Sequence, residues 1–409
     1  MKTLFALGAL GALASAAALL ACAASDDALV SPDEGAVVPG LDATADANGD
    51  ARDGDAGSEE CLADALCPVG PFQPGAPGGA LDLRTRINRI RGRGPHDVWA
   101  VGALGASAHF DGTRWSTSDT GATETFTGLW FRDAGTVAFA SLSSAYARGA
   151  DLEPGDGGVP SADGWLRTEP QFPSEFLGGT QIVTSTWGTP GAEWMWGTIL
   201  GDQYTEVRSL GSGVFVPNPF YGLFRARVAP GTRTIEVAAV VPPKACRILG
   251  CVVMTSIHGS SPDDLWAVGL KGAAFRVTHA QSDSPELVPF NTQTWAMLEG
   301  VWVASATDAW AVGAAGTIRH YTGGSFTWDV VDDVPATENL HAVWGTSSSD
   351  VWVVGDDATI LHYDGKTWSR VPVMGLGARR PDLFAVWTSA PGRVWVGGDG
   401  VILALGGKP

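Results

Sequence analysis

Five cysteines are the most reactive side chains of this 409-residue chain, and their spacing sorts them. Cys22 stands alone at the end of an apolar run, whereas Cys61 and Cys67, and Cys246 and Cys251, form two local pairs. Neither pair has CxxC spacing and no histidine flanks either, so no metal or cofactor is expected there. An even set of four in an oxidising compartment favours disulfides, and the two local pairings are the simplest of the three connectivities that four cysteines allow.

Basic side chains gather in two places. Arg84, Arg86, Arg89, Arg91 and Arg93 are closely spaced, and residues 89, 91 and 93 share one face of an extended segment. An anionic ligand or partner would suit them, and so would neighbouring carboxylates. The second place runs from about Phe215 to Val253, where Phe220 and Tyr221 precede Arg225, Arg227, Arg233, Lys244 and Arg247, with Glu236 as the one acid. Long insertions on a rigid scaffold often carry function, so Phe220, Tyr221, Arg225, Arg227 and Arg233 are candidate contacts for a ligand or partner. An extra hairpin that thickens the sheet would account for the same residues.

Enzyme signatures are weak, and no catalytic residue is assigned. There is no HExxH and no GxSxG, and Gly365-Lys366-Thr367 has Ile360 where a phosphate-binding loop needs its first glycine. Asp46 to Asp50 has the spacing of a calcium loop, but Ala51 and Gly57 stand where its glycine and closing glutamate belong.

The elements that must position these side chains are set by a repeat. The phrase Val343-Trp344-Gly345-Thr346, then Asp350-Val351-Trp352-Val353-Val354-Gly355, recurs in seven copies. Its two key positions are eight residues apart: Arg91 and Trp99, Trp130 and Ala138, Trp187 and Met195, His258 and Trp266, Trp302 and Trp310, Trp344 and Trp352, Trp387 and Trp395. Period-2 alternation on both sides of a short Gly/Ser/Asp turn is an antiparallel hairpin, with the key positions opposite each other. A third strand follows, then an Asp-Gly or Gly-Gly turn and a fourth strand opening near Trp115, Trp328 or Trp368. Four strands per copy and a period of about 43 residues match the blades of a β-propeller.

The expected fold is therefore all-β: a seven-bladed β-propeller of four-stranded antiparallel blades. Its blades span about 88–127, 128–184, 185–254, 255–298, 299–340, 341–383 and 384–409. The last copy lacks a fourth strand, and residues 79–87, with Ala80 to Arg84 as the pairing segment, are the expected N-terminal donor that completes it and closes the ring. Within this frame most tryptophans fill gaps between blades. His109, His320 and His362 share one repeat position on separate blades and are structural. Arg91 and His258 break the rule, standing where other copies carry Trp, and are candidate ligand contacts near the central channel.

The repeats resemble the loose group of bacterial β-propellers with BNR, or sialidase-like, repeats, over about 330 residues from Ala80 onward. The fold hosts hydrolases, lyases, lectins and scaffolds, so the resemblance speaks for architecture and not for activity. Thr117-Ser118-Asp119-Thr120-Gly121-Ala122-Thr123 fits most of that group's Asp box, with Glu124 in place of the closing Trp. A sialidase-like activity would also imply an arginine cluster and an acid-assisted tyrosine, a context that none of Tyr146, Tyr204, Tyr221, Tyr321 and Tyr363 has in the sequence.

Residues 1–21 are laid out as an export signal, with Lys2 ahead of an apolar run from Leu4 to Ala18. Leu19-Leu20-Ala21-Cys22 resembles the lipobox of bacterial lipoproteins, which implies lipidation of Cys22 and a membrane anchor. Ala23 after it implies the outer membrane of the cell envelope. Residues 22–78 read as a disordered acidic tether: from Asp26 to Asp64, twelve acids face one base and carry most of the net charge of −18. That charge argues against nucleic acid as a partner. The expected function is a monomeric, surface-anchored binding or scaffold module for an envelope protein or glycan, and the alternative is a sialidase-like glycan hydrolase or lyase. A carboxylate pair meeting arginines in the central depression would separate the two.

Overall fold

The computed structural model describes residues 61–72, 80–132, 134–155, 158–172, 181–201, 204–209, 212–217, 222–241, 243–251 and 253–408. Cys22, Phe220, Tyr221 and the tether before residue 61 lie outside them. The sixth repeat shows the plan: Leu340–Ser347, Asp350–Gly355, Ile360–Tyr363 and Trp368–Arg370 pair antiparallel in chain order. The first, fourth and fifth repeats have the same order within residues 87–117, 254–291 and 298–330. The second and third repeats share one sheet, joined where Ile182 faces Ser141. In the third, Tyr204–Ser209 and Ser212–Pro217 form a separate hairpin between the second and third strands.

Register follows the expected eight-residue interval in five repeats, where Arg91, His258, Trp302, Trp344 and Trp387 face Trp99, Trp266, Trp310, Trp352 and Trp395. The two degenerate copies depart from it. Trp130 faces Val137, and a register shift between Val183 and Ser185 places Trp187 opposite Trp196, not Met195. In four repeats the glycine ending the second strand marks a close approach. A Cβ at Gly102, Gly269, Gly313 or Gly355 would sit 1.8–2.1 Å from the carbonyl oxygen just before the first strand, so no side chain fits.

Within a repeat, the Asp that opens the second strand ties two strands together. Trp352 pairs with His362 on the third strand, and their rings stack at 4.2 Å. Asp350 Oδ1 accepts from both Trp352 Nε1 (2.9 Å) and His362 Nε2 (2.8 Å). The bond from His362 leads the effects that hold the Asp350 carboxyl below its ordinary range. Asp97, Trp99 and His109 repeat this arrangement, and His320 likewise bonds Asp308 and stacks on Trp310. In the fourth repeat Arg276 replaces the histidine and pairs with Asp264 through two bonds.

Between repeats the tryptophans mesh in two layers. In the inner layer, ring atoms of Trp387, Trp187 and Trp302 lie over Gly92, Gly259 and Gly345 of the following repeat, where an added Cβ would come within 2.5, 2.9 and 2.8 Å of them. In the outer layer, Trp165, Trp328 and Trp368 meet Trp99, Trp266 and Trp310 of the preceding repeat edge-on, at 5.5, 4.8 and 5.5 Å. Burying one indole removes about 150–250 Å² from water, worth on the order of 4–6 kcal/mol as an upper bound. Phe110 of the first repeat packs 6.0 Å from Trp395 of the seventh, and the first strands of these two repeats touch.

The strand beside Val401–Leu405 is Leu66–Pro68, not residues 80–84. It also donates to Pro372 O and accepts from Met374 N–H in the sixth repeat. Residues 61–72 therefore leave the expected tether: Leu66, Cys67, Val69 and Phe72 are buried, and a disulfide joins Cys61 to Cys67. Ala80–Arg84 forms a turn instead, with Arg84 bonded to Asp82. Three apolar residues on an edge strand suffice to pair, a signal diluted by the acidic residues around them.

A charged brace links the fifth and sixth repeats. His341 Nδ1 donates to Glu299 at 2.6 Å and Nε2 to Asp356 at 2.5 Å, so the ring is an imidazolium held between two carboxylates. Burial alone would lower its pKa, but the bonds to Glu299 and Asp356 more than offset that and raise it above 6.5. A raised histidine pKa stabilises the fold fully below the unfolded value and ceases to do so as pH rises through the folded one. Thermal melts should show stability falling as pH rises through this raised histidine pKa, and His341→Gln should flatten that part of the profile. An unchanged profile in the variant would show that the brace does not titrate.

Candidate functional site

The two rule-breaking residues meet on a third repeat. Arg91 faces Trp99 in register, yet its guanidinium lies 4.2 Å over the ring of Trp344, and its Nη1 donates to Ile90 O and Val386 O. The His258 ring stands edge-on to the same indole at 4.7 Å and lies 5.5 Å from Trp187. The first, fourth and sixth repeats thus converge on one aromatic ring. His258 Nδ1 accepts from Val303 N–H at 3.1 Å, which places the ring proton on Nε2. Burial, then repulsion from Arg91, pushes the His258 pKa well below 6.5, so this ring is neutral. Desolvation, then repulsion from Arg89, pulls Arg91 down to about 9.

The convergence follows from the inner meshing. Trp187, Trp302 and Trp387 lie sideways on a neighbour's glycine, and the repeats that supply those glycines are the ones whose own key residues are Arg91, His258 and Trp344. These three fill the space left over. Beside them, Arg89, Ser185, Ser256, Glu299 and His341 line a cavity of about 20 Å³. Arg89 Nη1 donates to Asn88 O, its Nη2 reaches Thr184 O across to the third repeat, and its Nε is buried without a partner.

A larger groove, of about 690 Å³, is lined by Leu249, Leu270, Lys271, Phe290 and Trp295. Trp295 is 84% exposed and Ile248 86% exposed. Local turns hold that loop: Asn291 Oδ1 accepts from Gln293 N–H, Thr294 Oγ1 accepts from Ala296 N–H, and Gln293 Nε2 bonds Trp328 O. Ile248 and Leu249 come from the short helix Pro243–Leu249, which the Cys246–Cys251 disulfide ties to the chain beyond it. Sequence reasoning missed Trp295. Its signal was a tryptophan in the polar stretch Asn291-Thr292-Gln293-Thr294-Trp295, outside the repeat register.

The arginines of the inserted segment are committed elsewhere. Arg225 is buried, 4.1 Å over Trp194, and donates to Ser282 O at 2.6 Å. Arg227 covers the other contact on Trp194 at 4.3 Å and pairs with Glu193 and Glu236. Arg233 pairs with Asp151 and Glu153. Arg227 and Arg233 thus spend their charge on carboxylates 34 to 82 residues away in sequence, at Glu193, Asp151 and Glu153. Charge within one stretch could not show this.

One tyrosine does have the acid that the sequence concealed. Tyr146 Oη donates to Glu124, which stands at the end of the Asp-box-like stretch. Tyr146 is buried against Phe126, and burial, then the bond to Glu124, pushes its pKa up to about 12. A phenol held that far from ionising is a poor nucleophile. Thr120 Oγ1 donates to Gly105 O, and Asp119 accepts from Gly121 N–H, so the stretch is a structural turn.

No family model and no curated protein matches the chain. Solved structures do. YCF48 from Cyanidioschyzon merolae superposes with a TM-score of 0.57 at 16% identity, covering 83% of this chain and 98% of that one. YCF48 bound to D1 peptide gives 0.53 at 14%, covering 79% and 92%. The β-propeller domain of Cps50 (Swd1) from Myceliophteria thermophila gives 0.51 at 11%, covering 78% and 96%. Such identities carry the fold alone. The described part of this chain is a β-propeller.

Proposed function

We propose that the chain is an exported, lipid-anchored scaffold whose propeller closes as seven four-stranded blades and binds a protein partner at the Trp295 groove. The observation that carries the binding is the exposed apolar cluster of Trp295, Ile248, Leu249 and Leu270 beside that groove. Clustered exposed apolar side chains mark interaction surfaces, and tryptophan is a preferred anchor at them. Two polar side chains of the groove are drawn into internal bonds, Thr292 to Gly272 O and Gln293 to Trp328 O, which favours a protein over a sugar. A propeller of similar fold has been solved with a bound peptide, which supports the reading without identifying the partner.

The blade count rests on seven sequence copies and on first strands that touch in series from the first repeat to the seventh and back. Closure rests on Leu66–Pro68 beside Val401–Leu405 and on Trp387 over Gly92. The anchor rests on Leu19-Leu20-Ala21-Cys22.

Trp295→Ala should leave the melting temperature within a few degrees, because the ring is exposed, and should weaken capture of an envelope protein by about tenfold or more. Equal capture by wild type and variant would remove the groove from the account. Glycan-array binding lost in the same variant would transfer the site to sugars. Cys22→Ala should abolish metabolic lipid labelling and release the protein from membranes, and a variant that stays membrane-bound without label would contradict the anchor.

A further inference from the structure

The cavity beside the axial cluster has a charge imbalance. Arg89 and Arg91 lie two residues apart on one strand face and both line it. Among the described residues their hydrogen bonds go to backbone carbonyls, and neither pairs with a carboxylate. The one acid in the lining, Glu299, is bonded to His341, whose other nitrogen is bonded to Asp356. That imidazolium with two carboxylates is one charge negative. Among the described residues, two guanidinium groups set against it leave one positive charge unbalanced, since His258 is neutral.

Shape and donors agree with the charge. The cavity, about 20 Å³, is of the size that holds one water-sized occupant. Arg89 Nε is buried without a hydrogen-bond partner, and Ser185 is among the lining residues. Two part-buried guanidinium groups that repel each other, with desolvation lowering both pKa values, are stabilised by an anion between them.

We infer that this cavity binds one small monovalent anion of the halide class, held by Arg89 and Arg91, as a structural ligand of the propeller. A ligand that binds only the folded state raises its stability by mass action. Melting temperature of the full-length protein should therefore rise by several degrees, saturably, as chloride replaces gluconate at constant ionic strength. Arg89→Gln should lose that dependence. Crystals grown in bromide should show an anomalous peak within contact distance of Arg89 Nε. If Arg89→Gln does not fold, the wild-type titration and the bromide peak decide the question. Stability indifferent to chloride, or a chloride effect without a peak at Arg89, would overturn the site.

Discussion

The structure depends on a steric pairing: an indole of one repeat occupies the space that a glycine leaves in the next. Gly92, Gly259 and Gly345 have no side chain; a Cβ there would meet Trp387, Trp187 and Trp302, and also the carbonyl of Asp97, Asp264 and Asp350 in its own hairpin. This pairing sets the spacing of neighbouring sheets near the axis, while edge-on pairs such as Trp328 and Trp266 set it further out. The Asp-Trp-His contacts act at another level. They rigidify the first, fifth and sixth repeats, so that their tryptophans arrive at the neighbour in one position.

The polar axis is a consequence of the same pairing. Large side chains from every repeat cannot all converge on a narrow channel. Three lie sideways on glycine, and the three repeats that supply the glycines send Arg91, His258 and Trp344 inward. Burying a guanidinium there is tolerated because an aromatic face meets it, and burying an imidazole is tolerated because it is neutral and accepts from Val303 N–H. The axial polarity and the exposed Trp295 groove are separate features. The first belongs to the frame and the second to the loops that the frame carries.

Much of the frame was legible in the sequence because the repeat is spelled in large residues at fixed intervals. Arg91 and His258 were legible as departures from it, although their meeting on Trp344 was not, since repeats one, four and six are far apart in the chain. The closing strand was misplaced because Leu66–Pro68 is three residues long and lies beside a strongly acidic stretch. The insertion arginines misled for a related reason: charge counted along a segment ignores partners such as Glu193 and Asp151 that folding brings from elsewhere. Tyr146 and Glu124, 22 residues apart, show that an acid–tyrosine contact can be invisible in sequence and still be structural.

The junction of the first and seventh repeats gives the most direct test of the pairing, because Trp387 Cη2 would lie 2.5 Å from a Cβ placed at Gly92. Chemical unfolding of Gly92→Ala, Trp387→Phe and the double variant forms a mutant cycle. Gly92→Ala alone should cost about 1–3 kcal/mol, as overpacking does. In the Trp387→Phe background, where the shorter ring makes room, the same change should cost at least about 0.5 kcal/mol less. Strictly additive effects would mean that the indole does not rest on the glycine and that the two repeats are not meshed.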